Sequence, residues 1–320
     1  NVPYRCLLPE GLDGIIVTGL GVSAHRDAMP VIRMQADIQN QGYAVGVIGT
    51  MVARSGGGVR DIDIKALQKN LIEKGNLPER VLTDQDSFPL PREEIEWAVE
   101  RVANDFDGLE VVLTQPHFAM PLLQEAYKTA EKTKAKLAYA HILGMLGDAT
   151  GSETLIQAVE STDWDKGWNF TGMGQYGASV SALDSVIIAL GRTRDKRGLT
   201  PILDKVGHLD EESEFSHSRA VGMVLETLGD SAAAKALARL LQKPGIMGHA
   251  FTDIEDARQR TPASPTDNKT RNNSLRELIL ARALYRCGDY KGLGEKILKE
   301  YTLDLRGHYA HHAQTVLKMK

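Results

Sequence analysis

Cysteine is nearly absent. The 320 residues hold two, Cys6 and Cys287, too few and too far apart for a disulfide framework or a zinc site. Aromatic residues make up 6% of the chain, and only three are tryptophan. An excess of one charge is missing too. Lys and Arg number 38 against 42 Asp and Glu, and a formal net charge of -4 sets up no field that would draw nucleic acid or an anionic membrane. No apolar run reaches the roughly 18 residues that cross a bilayer. Asn1-Val2-Pro3-Tyr4-Arg5 has no apolar stretch behind a basic end, so a signal peptide is not expected, and the compartment is not legible. What remains is an average globular composition, 42% hydrophobic and 25% charged, over a length sufficient for two domains.

Near the N-terminus, Gly19-x-Gly21-x-x-Ala24 follows the apolar, β-branched run Gly14-Ile15-Ile16-Val17-Thr18. That spacing matches a dinucleotide fingerprint, in which a strand turns on glycines into a helix whose N-terminus meets a pyrophosphate. The continuation does not match. His25-Arg26-Asp27-Ala28-Met29-Pro30 is polar and closes on a proline where the first helical turns belong, and Pro30 suits a helix start better than a helix interior. Helical periodicity runs instead from about Arg33 to Arg54, with small residues Gly42, Ala44, Gly46 and Gly49 along it. No second strand with an acidic end follows, and Asp37, at the distance of a ribose ligand, lies inside the helix. The unit reads as a strand, an irregular loop and a glycine-laced helix. The helix start at Arg33, Met34, Gln35 and Ala36 offers open N–H groups and a positive dipole end to a negatively charged ligand.

Residues 2–46 resemble the C-terminal end of FAD-dependent oxidoreductases. In that family a Tyr-Arg pair precedes Leu-Pro-x-Gly, a closing strand of the FAD domain ends in glycine, and an arginine opens the last helix. Tyr4, Arg5, Pro9, Gly11, Gly19, Arg33, Gly42 and Gly46 fall on those positions. The resemblance implies FAD as cofactor, with the helix start near the pyrimidine end of the flavin ring and Tyr4, Arg5, Gly19, Arg33, Met34, Gln35 and Ala36 as cofactor contacts. It implies His25 and Arg26 as catalytic candidates, since the family carries a histidine at the position of Arg26. It also places the pyrophosphate-binding turn far upstream of the closing strand. The chain therefore reads as the C-terminal portion of a longer enzyme, with an upstream FAD-binding domain as its partner and a small molecule or glycan as substrate.

Further along, residues 59–75 predict a short helix capped by Asp63 and stopped at Gly75. Asp61 with Asp63, and His308 with His311 and His312, have spacings that a metal could use. A cap and a helix face account for both sets, and no metal site is expected. Loop composition from Asn76 to Pro91 marks a domain boundary.

Beyond it the chain repeats. "AYAHILGMLGD", "DSVIIALGRTRD", "SRAVGMVLETLGD" and "RELILARALYRCGD" each set an apolar helix before an aspartate, Asp148, Asp195, Asp230 or Asp289, and each leads into a second helix. The pattern resembles HEAT-like repeats, whose stacked helix pairs share one core. The repeated aspartate is expected to brace the turn between helices. Two insertions interrupt the pattern. Residues 163–179 hold Trp164, Trp168, Phe170 and Tyr176 among glycines, a composition that suits stacking on a ligand or a partner. Residues 243–273 are long and polar. The expected architecture is mainly α: a strand–helix remnant of an FAD-binding α/β domain over residues 1–85, then a HEAT-like solenoid over 86–320. The other reading open at this level is a non-catalytic scaffold that binds a protein or glycan.

Overall fold

A computed structural model describes residues 2–24, 28–85, 88–167, 181–261, 264 and 268–319. The chain divides into two compact units, Asn1–Pro89 and Leu90–Lys320. Among the described residues every regular element is helical, and no helix is long and apolar enough to cross a membrane.

The first unit contains α1 (Met29–Ile32), α2 (Gln35–Ser55) and α3 (Ile64–Glu73). The expected strand over residues 14–18 is not formed, and with it the strand–helix remnant is not seen. A β-branched apolar run favours extended backbone, but a strand exists only when a neighbour completes its ladder. Here the segment is held by isolated bonds to a 3-10 turn at Tyr4–Leu7: Val17 N–H donates to the Leu7 carbonyl at 2.8 Å, and Ser23 N–H to Cys6 at 2.9 Å. Pro30 sits in the first turn of α1, and the chain breaks at Arg33 before α2 begins. At its other end α2 stops where Gly56 takes a left-handed conformation, φ 69°, and its N–H bonds the Val52 carbonyl at 3.0 Å. The Asp63 side chain caps α3 by accepting from Ala66 N–H at 3.0 Å. Ile48, Leu67 and Leu71 form the buried cluster that joins α2 to α3, with Tyr4 and Ile16 packed against it.

The second unit begins with α4 (Arg92–Arg101), α5 (Leu109–Thr114) and α6 (Pro116–Thr129). Helix pairs follow: α7 (Thr133–Met145) with α8 (Ser152–Ser161), α9 (Ala182–Thr193) with α10 (Leu199–Gly207), and α11 (Phe215–Leu228) with α12 (Ala234–Leu241). After α13 (Ile254–Arg260) come α14 (Lys269–Arg286), α15 (Leu293–Tyr301) and α16 (Gly307–Lys318). Helices α7, α9, α11 and α14 pack side by side in that order, and α8, α10 and α12 pack in a second row. One continuous core from Ile95 to Val316 lies within this unit, with Leu190 and Leu225 both fully buried. Close approach between neighbouring helices of a row needs small residues. A Cβ on Gly191 would meet Val224 Cγ1 at 2.5 Å.

All four repeated aspartates brace turns. Asp148, Asp195 and Asp230 accept from the N–H two residues on, at 2.8, 3.0 and 3.0 Å. Asp289 accepts instead from Gly294 and Glu295 N–H at 2.7 and 2.9 Å. The described part of the 243–273 insertion is fixed to the helices behind it. The buried Glu277 carboxylate accepts from Gly248 N–H, His249 N–H and the Tyr301 hydroxyl, and Asp304 accepts from Phe251 N–H.

Candidate functional site

In the first unit the predicted contacts gather around two ends of one feature, the N-terminal half of α2. Met34 is its N-cap, with extended backbone (φ −68°, ψ 155°) and no side-chain hydrogen bond to the helix. Arg33, Met34, Gln35 and Ala36 are exposed. The first backbone N–H groups of a helix have no intrahelical acceptor, so this start carries open donors and a positive dipole end. Gly19 lies against the next turn. It has a left-handed backbone, φ 69°, and a Cβ there would touch Ile38 Cγ2 at 3.8 Å. The fold thus brings Gly19 beside the helix start, although the two are far apart in the sequence.

Tyr4 and Arg5 are placed differently. The Tyr4 hydroxyl donates to the Val59 carbonyl at 2.5 Å, and burial pushes its pKa up. Arg5 lies over the Phe88 ring, 5.4 Å from its centroid. Both residues line a cleft of about 900 Å³ whose opposite walls come from α2 and α3. His25 and Arg26, the catalytic candidates, lie outside the described residues.

A second face of α2 is open. Gln39, Gly42, Gly46, Gly49 and Ala53 recur at helical spacing and are all exposed. A Cβ built on Gly42, Gly46 or Gly49 would meet nothing within 4 Å. Leu12, Ile15, Leu20, Val31, Met34 and Tyr43, all large and apolar, are exposed in the same unit.

The exposed helix start, whose N-cap side chain makes no hydrogen bond to it, presents N–H donors suited to a negatively charged group. Residues that sequence reasoning missed are Gln41 and Gln68, which line the cleft. Gln41 has a signal in hindsight, since Asp37, Gln41, Ala44 and Ile48 share one face of α2. Gln68 has none, because a glutamine on an amphipathic helix looks like surface.

In the second unit the densest polar cluster is structural in form. Asp184 is buried; it accepts from Ser216 Oγ at 2.5 Å and pairs with His217 Nδ1 at 2.8 Å. His217 Nε2 faces the Asp165 carbonyl at 3.1 Å, and the Trp164 ring stacks on the imidazole with centroids 4.3 Å apart. Trp164 Nε1 donates to the Lys205 carbonyl at 3.2 Å. The cluster ties the start of the 163–179 insertion to the helices; Trp168, Phe170 and Tyr176 lie outside the described residues. Of the three C-terminal histidines, His312 receives a hydrogen bond from Arg282 at 3.4 Å, and burial with the neighbouring Arg282 and Arg286 lowers its pKa. Among the described residues no three His, Cys, Asp or Glu side chains are grouped to hold a metal ion.

The sequence pattern of a family described as FAD dependent oxidoreductase matches residues 1–71. No curated protein and no solved structure matches the chain.

Proposed function

We propose that residues 1–85 form the flavin-side segment of an FAD-dependent oxidoreductase, and that residues 86–320 are a HEAT-like helical domain attached to it. The observation that carries this reading is the open face of α2. Within the matched residues a helix exposes three glycines with free space above them, and Leu20, Met34 and Tyr43 are exposed in the same unit. Glycine in a helix interior costs roughly 0.5–1 kcal/mol against alanine, and exposed apolar patches mark surfaces that other structure covers. A helix with both features is shaped for close contact with a further layer. An upstream FAD-binding domain, holding the diphosphate end of the cofactor, is the layer the family match suggests.

FAD supplies the hydride acceptor in such an enzyme. The backbone N–H groups of Gln35 and Ala36 would hold the ring's electron-rich end and favour negative charge there. Gly19 keeps a side chain out of the space beside Ile38. Arg33, at the break between α1 and α2, would add a positive charge near the same end. His25 and Arg26 are the groups proposed to hold or move a proton at the substrate. The succession α7–α8, α9–α10 and α11–α12, each step turned on a braced aspartate and laid into two rows, supports the HEAT-like reading of the second part.

The test is co-purification of flavin. The 320-residue chain alone is expected to bind no FAD. Produced together with the protein segment encoded upstream of it, the chain is expected to yield a complex with one FAD, which weakens when Gln35 and Ala36 are replaced by proline. Stoichiometric flavin in the isolated chain, or a flavin complex that forms without it equally well, contradicts the proposal.

A further inference from the structure

We propose that the cleft between α2 and α3 binds a small neutral carbohydrate of one to three rings. Its volume, about 900 Å³, lies in the range of small-molecule sites. Ile48, Leu67 and Leu71 give it an apolar floor.

The polar groups above that floor include acceptors left without a partner. Gln41 Nε2 donates to the Ile32 carbonyl at 2.9 Å, which fixes the orientation of the amide, because the flipped form would set two oxygens together. Its Oε1 is then left buried with no partner. Gln68 Oε1, on the facing helix, is also buried and unpartnered. Asp37 stands one turn before Gln41 on the same face of α2 and makes no hydrogen bond or ion pair with the described residues. Two nearby donors are engaged within the protein: Lys65 Nζ reaches the Leu82 carbonyl at 2.7 Å, and Asn76 Nδ2 the Asn40 carbonyl at 3.3 Å. Three acceptors without donors call for a ligand rich in N–H or O–H groups.

Charge selects among such ligands. Arg5 and Lys65 line the cleft together with Asp37 and Asp84, so the lining is balanced and favours an uncharged occupant over an ammonium. A sugar meets each requirement. Its hydroxyls donate to Gln41, Gln68 and Asp37, its oxygens accept from the rim, and the C–H face of a ring lies on the leucines and isoleucine. Asp37, Gln41, Ala44 and Ile48 occupy a different face of α2 from Gly42, Gly46 and Gly49, about 140° round at about 100° per residue, so the inference does not use the open face.

Calorimetric titration of the whole chain with glucose, myo-inositol and maltotriose tests it, with hexylamine as the charged counter-probe. At least one of the three polyols is expected to bind saturably. Gln68→Leu, Gln41→Leu and Asp37→Asn should each weaken binding about tenfold or more, the effect of losing a ligand hydrogen bond. Gln68→Leu should also leave the melting temperature unchanged or raise it, because it removes a buried acceptor that has no partner. A glutamine with a purely structural role would move stability and not affinity. Binding of none of the polyols, binding indifferent to all three substitutions, or binding of hexylamine alone overturns the proposal.

Discussion

In residues 1–89 the buried cluster is three side chains, Ile48, Leu67 and Leu71, while Leu12, Ile15, Leu20, Val31, Met34 and Tyr43 stand exposed. In residues 90–320 one cluster runs from Ile95 to Val316, and its helices are further tied by buried polar groups at Asp184, Glu277 and Asp304. The contrast concerns where each unit finds its neighbours. Helix pairs that stack in rows bury their apolar stripes on one another, whatever else is present. With Leu7, Val22, Val59 and Val81 added, the described residues of the first unit bury seven apolar side chains, a small core for a domain that stands alone. The first unit therefore has the character of a part shaped by contact with something else.

The largest expected effect is in the second unit. Asp184→Ala leaves the buried His217 ring and Ser216 hydroxyl without their acceptor and should cost about 3–5 kcal/mol, the loss of two buried hydrogen bonds with both donors left unsatisfied. Urea unfolding with tryptophan fluorescence measures it, since Trp164 stacks on His217. A loss below about 1 kcal/mol would show that the cluster is not a brace. Next comes the core itself. Leu190→Ala should cost about 2–5 kcal/mol and lower the melting of the second unit as a whole. Ile48→Ala removes one of three cluster residues and should abolish the folding of the first unit, while the second unit keeps its own calorimetric transition. One shared transition that moves with both substitutions would erase the distinction between the units.

Acid should act on the second unit through its braced carboxylates. The Arg197 side chain beside Asp195, aided by Arg197 N–H, holds its pKa below the ordinary value. For Asp148, Asp165 and Asp304 burial works the other way, and hydrogen bonds from neighbours outweigh it, so these also lie low. A carboxylate with a depressed folded-state pKa stabilises the fold above its unfolded value, near 4, and loses that contribution as the pH falls through the folded value. The urea midpoint of the second unit should hold from pH 7 to about 5 and drop below about 4. A midpoint that rises on acidification would contradict the bracing role.

The smallest stability effect, and the sharpest one for the open face, is Gly46→Leu. Leucine has a better helix propensity, so the isolated chain should be unchanged or up to roughly 1 kcal/mol more stable. Assembly with the proposed upstream FAD-binding domain should nevertheless be lost. Normal assembly would mean that the face is simply solvent-exposed.

These contrasts were unevenly legible in the sequence. The helix pairs could be read because apolar periodicity, an aspartate and a following helix recur locally, and the turn needs nothing from far along the chain. The Asp63 cap and the end of α2 at Gly56 were legible for the same reason. The segment Ile15-Ile16-Val17 predicts a strand that does not form, because β-branched residues report extended backbone and not whether a partner is there to pair with it. Asp184 and His217 come together from different helices, and no local pattern announces such a pair. Gln41 and Gln68 look like surface until a fold closes over them. Only the residues that resemble FAD-dependent oxidoreductases pointed to a function, and that match ends at residue 71.

Hydrogen exchange on the whole chain, with and without the proposed upstream FAD-binding domain loaded with FAD, tests the central claim most directly. Alone, the amides of α2 should open through local unfolding and exchange far faster than those of α11 and α14. With the partner present, protection should rise from Gln35 through Gly49 and beside Gly19, and stay unchanged in α11 and α14. Equal slow exchange in α2 and α11 in the isolated chain, unaltered by the partner, would show that the first unit stands by itself and that its open face is not a docking surface.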